Sequence, residues 1–308
     1  MYPNLPTNVL RFIAIVLVGV LLSPLVAVAQ KPAPKQEEKR RFRTHQVFSK
    51  TGPIIYQSDF AKHKLHLLNI SEDNRYARPK NDPARLKIVP APGLAKGIMA
   101  AQFTVPRKPN SYRSEISLPH EKGFQERWYG ITHYLPKDWQ IDHNRGADIV
   151  MQWHGIPGNF RATYPNLEIS IQGEHWEVRQ SYGSPQTKPT RTRTILKPPL
   201  QPGTWANWVI HAKWSPKADG LLRIWKNDQL VFEKKGPNLY GTIGIDYTPY
   251  LKTGIYHPEW YFNKPRKKEL FEKDKNPVKK KETYVAKIIV GNEKASFEQI
   301  TKLFPKLP

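Results

Sequence analysis

Short stretches of alternating apolar and polar residues, separated by turn-forming residues, recur along most of this chain. The stretch from Asn166 to Ile171 (NLEISI) alternates most clearly. Glu126–Tyr134 and Asp148–His154 are further candidate strands, and Lys226–Gln229 (KNDQ) has the composition of a hairpin turn. Alternation with a period of two predicts half-buried β-strands, whereas long amphipathic helices are hard to find. The 29 prolines and 18 glycines also argue against a long-helix architecture.

Many antiparallel strands in one domain of this size predict an all-β fold, a β-jelly roll (concanavalin-like sandwich) with a concave substrate groove. No βαβ alternation is visible, which argues against Rossmann and TIM-barrel folds. Residues 46–308 are expected to form this single domain. The other candidate strands are Pro53–Asp59, Leu86–Val89, Ile98–Val105, Tyr112–Leu118, Asn166–Gln172, Glu174–Gln180, Trp205–Trp214, Gly220–Lys226, Gln229–Lys234 and Thr283–Gly291.

Residues 1–29 have the organisation of a secretory signal peptide. Arg11 precedes an almost wholly apolar run from Phe12 to Val26, and Ala27–Ala29 supplies small residues where a signal peptidase cleaves. A retained membrane anchor is less favoured, because the run is short for a span of about 20 residues. Cleavage after Ala29, a Pro- and charge-rich tether over residues 30–45, and a secreted or periplasmic protein without stable membrane insertion are expected.

The charge balance favours a polyanionic partner. Lys plus Arg number 49 against 26 Asp plus Glu, which gives a net charge of +23. Export makes a nucleic-acid partner improbable, so an acidic polysaccharide is the expected partner of a monomeric protein. Cysteine is absent, which excludes a thiol nucleophile and Cys-ligated metal sites. The lysine-rich stretch 263–281 is expected to be a solvated basic loop, which would raise the local concentration of a polyanion.

Three segments place polar, chemically capable side chains on one face of a predicted strand. They are Arg113–Ile116, Gln152–His154 and Tyr250–Tyr256. Because alternate residues of a strand share a face, each segment has apolar anchors on the opposite side. Taken singly, each has a structural explanation: a surface ion pair, a buried histidine or a packing aromatic. The same-face sets are Arg113 with Glu115, Gln152 with His154, and Tyr250 with Lys252, Gly254 and Tyr256.

These segments resemble the groove of β-jelly-roll polysaccharide lyases such as alginate lyases. The wider pattern is closer to the heparin-lyase-like polysaccharide lyase family, which includes glucuronan lyases. That pattern adds Arg127–Trp139, Trp205–Ser215 and Gly220–Asp228, so the resemblance runs from about Ile54 to Val290. The order and spacing of the segments are more specific than any one of them. The basic loop after Tyr261 departs from the family pattern.

The resemblance implies β-elimination of a 4-linked uronate, giving a 4,5-unsaturated uronate end. Arg113 and Gln152 would stabilise the substrate carboxylate as the C5 proton leaves. Tyr256, its pKa lowered by neighbouring cations, would protonate the leaving oxygen and would also be the base in a syn elimination. His154 would be the base in an anti elimination. The expected substrate-binding residues are Lys252, Glu115, Tyr250 and Trp153.

No metal or cofactor is required for this chemistry. Some relatives hold a structural calcium ion, but its ligands cannot be placed in this sequence. The main alternative is a non-catalytic, lectin-like secreted protein that binds acidic carbohydrate. A glycoside hydrolase is disfavoured because it needs a carboxylate pair, and Glu115, Glu168 and Glu177 are scattered. A heparin- or nucleic-acid-binding protein has only the charge in its favour.

Overall fold

The structure is a computed structural model that describes residues 48–49, 51–58, 60–61, 69–72, 75–77, 82–119, 121–141, 146–155, 164–183, 189–197, 199–240, 247–275 and 277–308. The predicted signal peptide and the tether lie outside these residues. No helix in the described ranges is long and apolar enough to cross a membrane.

The described residues form strands and a few short helices. The strands are β1 (Ile54–Ser58), β2 (Asn69–Glu72), β3 (Arg75–Ala77), β4 (Leu86–Pro90), β5 (Met99–Pro106), β6 (Arg113–Ser117), β7 (Glu121–Lys122), β8 (Glu126–Tyr134), β9 (Asp148–His154), β10 (Leu167–Gln172), β11 (His175–Tyr182), β12 (Thr190–Ile195), β13 (Trp205–Lys213), β14 (Leu221–Lys226), β15 (Gln229–Lys235), β16 (Tyr247–Thr248), β17 (Tyr250–Tyr256) and β18 (Lys280–Gly291). The helices are α1 (Pro265–Glu272) and α2 (Phe297–Thr301), with a 3-10 turn at Pro258–Trp260.

Two large antiparallel sheets face each other. In the first, the order is β15-β14-β13-β8-β18-β5-β4, and β1 also pairs with β18. In the second, the order is β12-β11-β10-β9-β17-β6-β2-β3, while β7 and β16 form a separate pair. Strands distant in the sequence lie side by side in both sheets, as expected of a jelly roll. The predicted fold class is therefore confirmed, with β2, β3, β7, β12 and β16 as additional strands.

Large aromatic side chains fill the space between the two sheets. Trp153 of the second sheet packs edge-on against Tyr129 of the first, with ring centroids 5.3 Å apart. Trp176 and Trp208 make a similar contact across the sheets at 5.0 Å. Such edge-to-face pairs contribute about 0.5–1.5 kcal/mol beyond the burial of their area. The core therefore fixes the inner face of each sheet. The outer face of the second sheet carries a different set of side chains.

The basic stretch 263–281 contains helix α1 and the start of β18, so the expectation of a plain loop is wrong. Pro265 occupies the first turn of the helix, where a missing N–H costs nothing, and good helix formers follow it. Arg107 holds the helix end: its Nη2 donates to the carbonyl of Phe271 at 2.5 Å, and its guanidinium lies 3.9 Å from the Phe271 ring. This anchored helix follows directly on the 3-10 turn after β17.

A buried ionic cluster joins the sheets beside the end of β17. Asp148 of β9 accepts a hydrogen bond from His257 Nδ1 at 2.8 Å and pairs with Lys281 Nζ of β18 at 2.8 Å. Lys281 also donates to the carbonyl of Gln140 at 2.7 Å. Burial alone would raise the pKa of Asp148, but Lys281 and His257 outweigh it and hold that pKa below its ordinary value. The carboxylate thus joins an ammonium and an imidazole in the interior.

We expect Asp148→Asn to lower the free energy of unfolding by about 3–5 kcal/mol, because the substitution leaves the buried Lys281 ammonium without its carboxylate. Since the folded-state pKa of Asp148 is depressed, its contribution is full above the unfolded-state pKa and is lost as the pH falls through the folded-state value. Urea unfolding of both proteins should show the full difference at pH 7 and a shrinking one in acid.

Asp219→Asn is the matched control, because Asp219 pairs with Lys213 on the surface. It should leave the urea midpoint nearly unchanged, since exposed ion pairs contribute little. If Asp148→Asn unfolded at the same urea concentration as the wild type at pH 7, the cluster would not be a stabilising link between the sheets.

Candidate active site

The three segments singled out in the sequence lie on three neighbouring strands of the second sheet. Strand β17 runs between β6 and β9. Its register sets Tyr256 opposite Arg113, Lys252 opposite Gln152, and Tyr250 opposite His154. The face that carries these side chains, turned away from the sandwich core, is called the site face below. Stretches more than a hundred residues apart in the sequence are therefore neighbours on one surface.

Gly254 allows β17 to approach β6 closely at the middle of the site face. Its φ is +139°, and a Cβ there would lie 2.3 Å from the carbonyl oxygen of Ser114. Only glycine combines that backbone conformation with so little space. The register between β17 and β9 is irregular between Thr253 and Tyr256. The glycine of the Y-x-K-x-G-x-Y segment therefore has a structural role in setting where Tyr256 emerges.

A buried carboxylate lies at the centre of the site face. Glu115, of which 1% is exposed, accepts hydrogen bonds from Gln152 Nε2 at 2.5 Å and from Lys252 Nζ at 2.7 Å. The Nε atom of Arg113 lies 3.8 Å from the same carboxylate. Both oxygens of Glu115 are thus engaged by neighbouring strands. Direct contact of Glu115 with substrate stays a prediction, and the bonds in the structure show this carboxylate orienting the groups around it.

Gln152 and Lys252 are also largely buried, at 2% and 4% exposure. An amide nitrogen carries two hydrogens, and one of those on Gln152 is donated to Glu115. That bond fixes which end of the amide is the nitrogen, and it leaves the second hydrogen for another acceptor. Lys252, held by Glu115, contributes positive charge beneath the site face. Direct contact of either residue with a substrate remains a prediction.

Tyr256 and Arg113 occupy one end of the site face. The guanidinium of Arg113 lies 5.0 Å from the centroid of the Tyr256 ring and 5.3 Å from that of Tyr112. Burial raises the pKa of Tyr256 to about 12, although the charge of Arg113 acts to lower it. The expected net lowering by neighbouring cations is wrong, because desolvation of the phenolate is the larger effect. Tyr256 is therefore a protonated phenol at neutral pH.

His154 and Tyr250 occupy the other end, with ring centroids 6.2 Å apart. Nδ1 of His154 lies 2.8 Å from the carbonyl oxygen of Gly155. Because a carbonyl can only accept, the proton belongs on Nδ1, and Nε2 is the basic nitrogen. This tautomer is the one that a histidine acting as a base through Nε2 needs.

The chemically capable groups thus form an ordered strip rather than one tight cluster. Tyr256 and Arg113 are at one end, the Glu115 group is in the middle, and His154 is at the other end. Tyr256 pairs with Ile149 of β9, five residues from His154, which corresponds to about 16 Å of strand. The four residues expected to surround one sugar therefore share a face, but only Arg113 and Tyr256 are close neighbours across the strands.

Trp153 is misassigned by the sequence analysis. Its side chain is fully buried in the core against Tyr129, not on the site face. The alternation that sets Gln152 and His154 on one face requires Trp153, between them, to point to the other. The period of the strand was therefore sufficient to exclude Trp153 as a substrate-binding residue.

The site face continues onto β10, β11 and β12, and the charged residues of β11 and β12 were not predicted as part of the site. Glu168 of β10 lies opposite Gln152 on one side and Arg179 of β11 on the other. Arg193 of β12 lies opposite Arg179. The signal for the last strand was the T-R-T-R-T sequence, in which arginine occupies every second position.

No group of three or more His, Cys, Asp or Glu side chains that could hold a metal ion occurs in the part of the chain that the structure describes.

Comparison with known proteins identifies the family. A model of the family described as polysaccharide lyase matches residues 70–282, well over half of the chain. A search of curated proteins found no match. Among solved structures, the chain is similar to an endo-β-1,4-glucuronan lyase from the fungus Trichoderma reesei, with 20% identity, 76% of this chain and 96% of that chain covered, and a TM-score of 0.56.

An alginate lyase from Pseudomonas aeruginosa is also similar, with 14% identity, 75% of this chain and 100% of that chain covered, and a TM-score of 0.47. At these identities, the structural similarity supports the fold only. The assignment to the family rests on the match to the family model. The strip of Arg113, Gln152, His154 and Tyr256 thus lies on the jelly roll of a chain that belongs to the polysaccharide lyase family, carbon–oxygen lyases that act on polysaccharides.

Proposed function

We propose that this protein cleaves a 4-linked, uronate-containing polysaccharide by β-elimination and leaves a 4,5-unsaturated uronate end. The observation that supports this most directly is the pairing of a guanidinium with a protonated phenol, Arg113 beside Tyr256, on the site face. Elimination needs a cation for the substrate carboxylate, an acid for the leaving oxygen and a base for the C5 proton. The site face offers a residue for each.

Arg113 stabilises the uronate carboxylate. Abstraction of the C5 proton drives negative charge onto that carboxylate, and a planar guanidinium can bind it through two parallel hydrogen bonds. Gln152 adds the second hydrogen of its amide, and Glu115 keeps both groups oriented. Lys252 neutralises the buried Glu115, so that carboxylate does not repel an anionic substrate.

Tyr256 protonates the O4 oxygen as the bond to C4 breaks. A phenol whose pKa is about 12 keeps its proton at neutral pH and can give it to a developing alkoxide, which is far more basic. His154 takes the C5 proton through Nε2, the nitrogen left basic by the contact of Nδ1 with Gly155. An anti elimination requires the two groups to act on opposite faces of one sugar, so both side chains must reach inward from strand positions about 16 Å apart.

A second candidate is syn elimination, in which Tyr256 both removes and donates the proton. The glucuronan lyase among the similar structures favours this route, because in a D-glucuronate the C5 hydrogen and O4 leave from the same face of the ring. In L-guluronate and L-iduronate they leave from opposite faces. The epimer that is cleaved therefore reports which residue is the base.

We further propose that the protein acts outside the cytoplasm as an exported monomer and needs no cofactor for the reaction. The apolar run over residues 12–26, followed by small residues at 27–29, supports export. The net charge of +23 supports an acidic polymer, rather than a neutral one, as substrate.

Tyr256→Phe should lower kcat by about 10²–10⁴-fold, since it removes the general acid and keeps the ring that packs on Tyr112. The measurement is ultraviolet absorbance of the unsaturated end formed from glucuronan, alginate and heparin-type chains. Tyr284→Phe is the matched control, because it removes a phenol bonded to Glu282 on the first sheet. Retention of wild-type rates by Tyr256→Phe on every substrate would refute the assignment.

Binding to the same polymers separates the lyase from a lectin-like protein. Tyr256→Phe should retain the wild-type affinity, measured as retardation in native gels cast with polymer, while product formation is lost. If the wild type bound acidic polymers but formed no unsaturated ends from any of them, the non-catalytic alternative would hold.

His154→Gln distinguishes the two routes. With His154 as the base, the substitution should reduce cleavage of L-guluronate blocks by about 10²-fold or more. The wild-type rate should then reach its plateau well below pH 12. With Tyr256 as the base, the rate should keep rising toward about pH 12, where the phenol loses its proton. Full activity of His154→Gln on guluronate-rich alginate would exclude the anti route.

A further inference from the structure

Three arginines on β11 and β12 have no role in the proposed reaction: Arg179, Arg191 and Arg193. Arg179 of β11 is fully engaged: it bonds Glu177 at 2.8 Å, Glu168 at 3.1 Å and Gln172 at 3.0 Å. It thereby satisfies two carboxylates that are themselves buried, Glu168 and Glu177. Two carboxylates and one guanidinium sum to −1, and two further cations above this layer, both on β12, bring the local charge to +1.

Arg193 is one such cation. It lies directly opposite Arg179, and its Nε is 3.7 Å from the Glu177 oxygen that already accepts from Arg179. Like charges opposite each other on neighbouring strands are destabilising, and one shared carboxylate oxygen compensates only part of this cost. The side chain of Arg193 is 64% exposed. Its guanidinium is therefore open to an anion from solution.

Arg191 is the second cation above the buried layer. It stands two residues before Arg193 on β12, so both side chains lie on the same face. Its guanidinium is 3.7 Å from the centroid of Tyr164, which is itself 44% exposed. Among the residues that the structure describes, no carboxylate lies within ion-pair distance of Arg191, although its charge acts against the burial that raises the pKa of Glu168. Stacking on Tyr164 holds the guanidinium plane without using its hydrogen-bond donors.

The basic helix α1 is the weaker candidate for capturing a polyanion. Its lysines are largely paired within the segment: Lys273 with Glu269 at 2.8 Å and Lys268 with Glu272 at 3.8 Å. Lys267 lies 3.9 Å from Glu259. Each of these three lysines thus shares its charge with a carboxylate at 4 Å or less, in contrast to Arg191 on the edge strand β12.

We propose that Arg191 and Arg193 bind a carboxylate of the same polysaccharide chain at a second site, distant from the bond that is cleaved. The row Lys252, Gln152, Glu168, Arg179, Arg193 crosses four strand spacings, or about 19 Å. A pyranose ring with its linkage is about as long as one strand spacing, so roughly four sugar units separate this site from Lys252. The inference rests on the proposed function, since it takes the ligand to be a polyuronate.

The test compares long and short substrates. In Arg191→Gln/Arg193→Gln, KM for a uronate polymer should rise about tenfold, which corresponds to about 1.4 kcal/mol of binding free energy, with kcat unchanged. Kinetics on a uronate trisaccharide should not change, because that substrate is too short to reach both sites. Lys264→Gln/Arg266→Gln is the matched control, since it removes two positive charges from the α1 segment. It should leave both substrates unaffected.

Equal increases in KM for the polymer and the trisaccharide would overturn the second site, because the arginines would then act on the cleavage site. An equal rise in KM for the polymer in the α1 control would overturn it too, because the effect would then come from the overall charge of the protein. If the wild type formed no unsaturated ends at all, the proposed reaction would fail, but native gels cast with polymer would still test the site. Retardation lost only in the β12 variant supports it, and retardation retained in that variant refutes it.

Discussion

The site face depends on one buried carboxylate. Glu115 belongs to β6, yet its oxygens are bound by Lys252 of β17 and Gln152 of β9. Burying a carboxylate is costly unless charge and hydrogen bonds compensate it, so each of these strands must keep its register for Glu115 to be accommodated. The same bonds hold Gln152 and Lys252 in fixed orientations, and the carboxylate attracts Arg113 at 3.8 Å. Local stability and the preorganisation of the site thus have a common origin.

Much of the fold could be predicted from the sequence because it is a local property. Burial in strands such as β14 (Leu221–Lys226) alternates with a period of two, because successive side chains point to opposite faces. The same reasoning set Gln152 with His154, and Arg113 with Glu115, on common faces. The same period places Trp153, between Gln152 and His154, on the core side of the strand.

The remainder depends on contacts between distant parts of the chain. Alternation within a strand does not reveal that β17 lies between β6 and β9. The order of the groups along the strip therefore could not be predicted from the sequence. The raised pKa of Tyr256 results from burial by its surroundings, and the neighbouring cation visible in the sequence has the opposite effect. Helix α1 was missed because the lysines of its segment indicate a solvated loop, whereas Arg107, far away in the sequence, anchors it.

Strand β12 is the last strand of its sheet, so one side of its backbone has no partner strand among the described residues. Unpaired strand edges can recruit other chains and start aggregation, and charged side chains are a common protection. Arg191 and Arg193 place two like charges there, so a second copy docking in register would bring guanidiniums together. At high local concentration, copies of the protein would remain dispersed through this repulsion, and neutralising these arginines would leave the strand edge open to pairing with another chain.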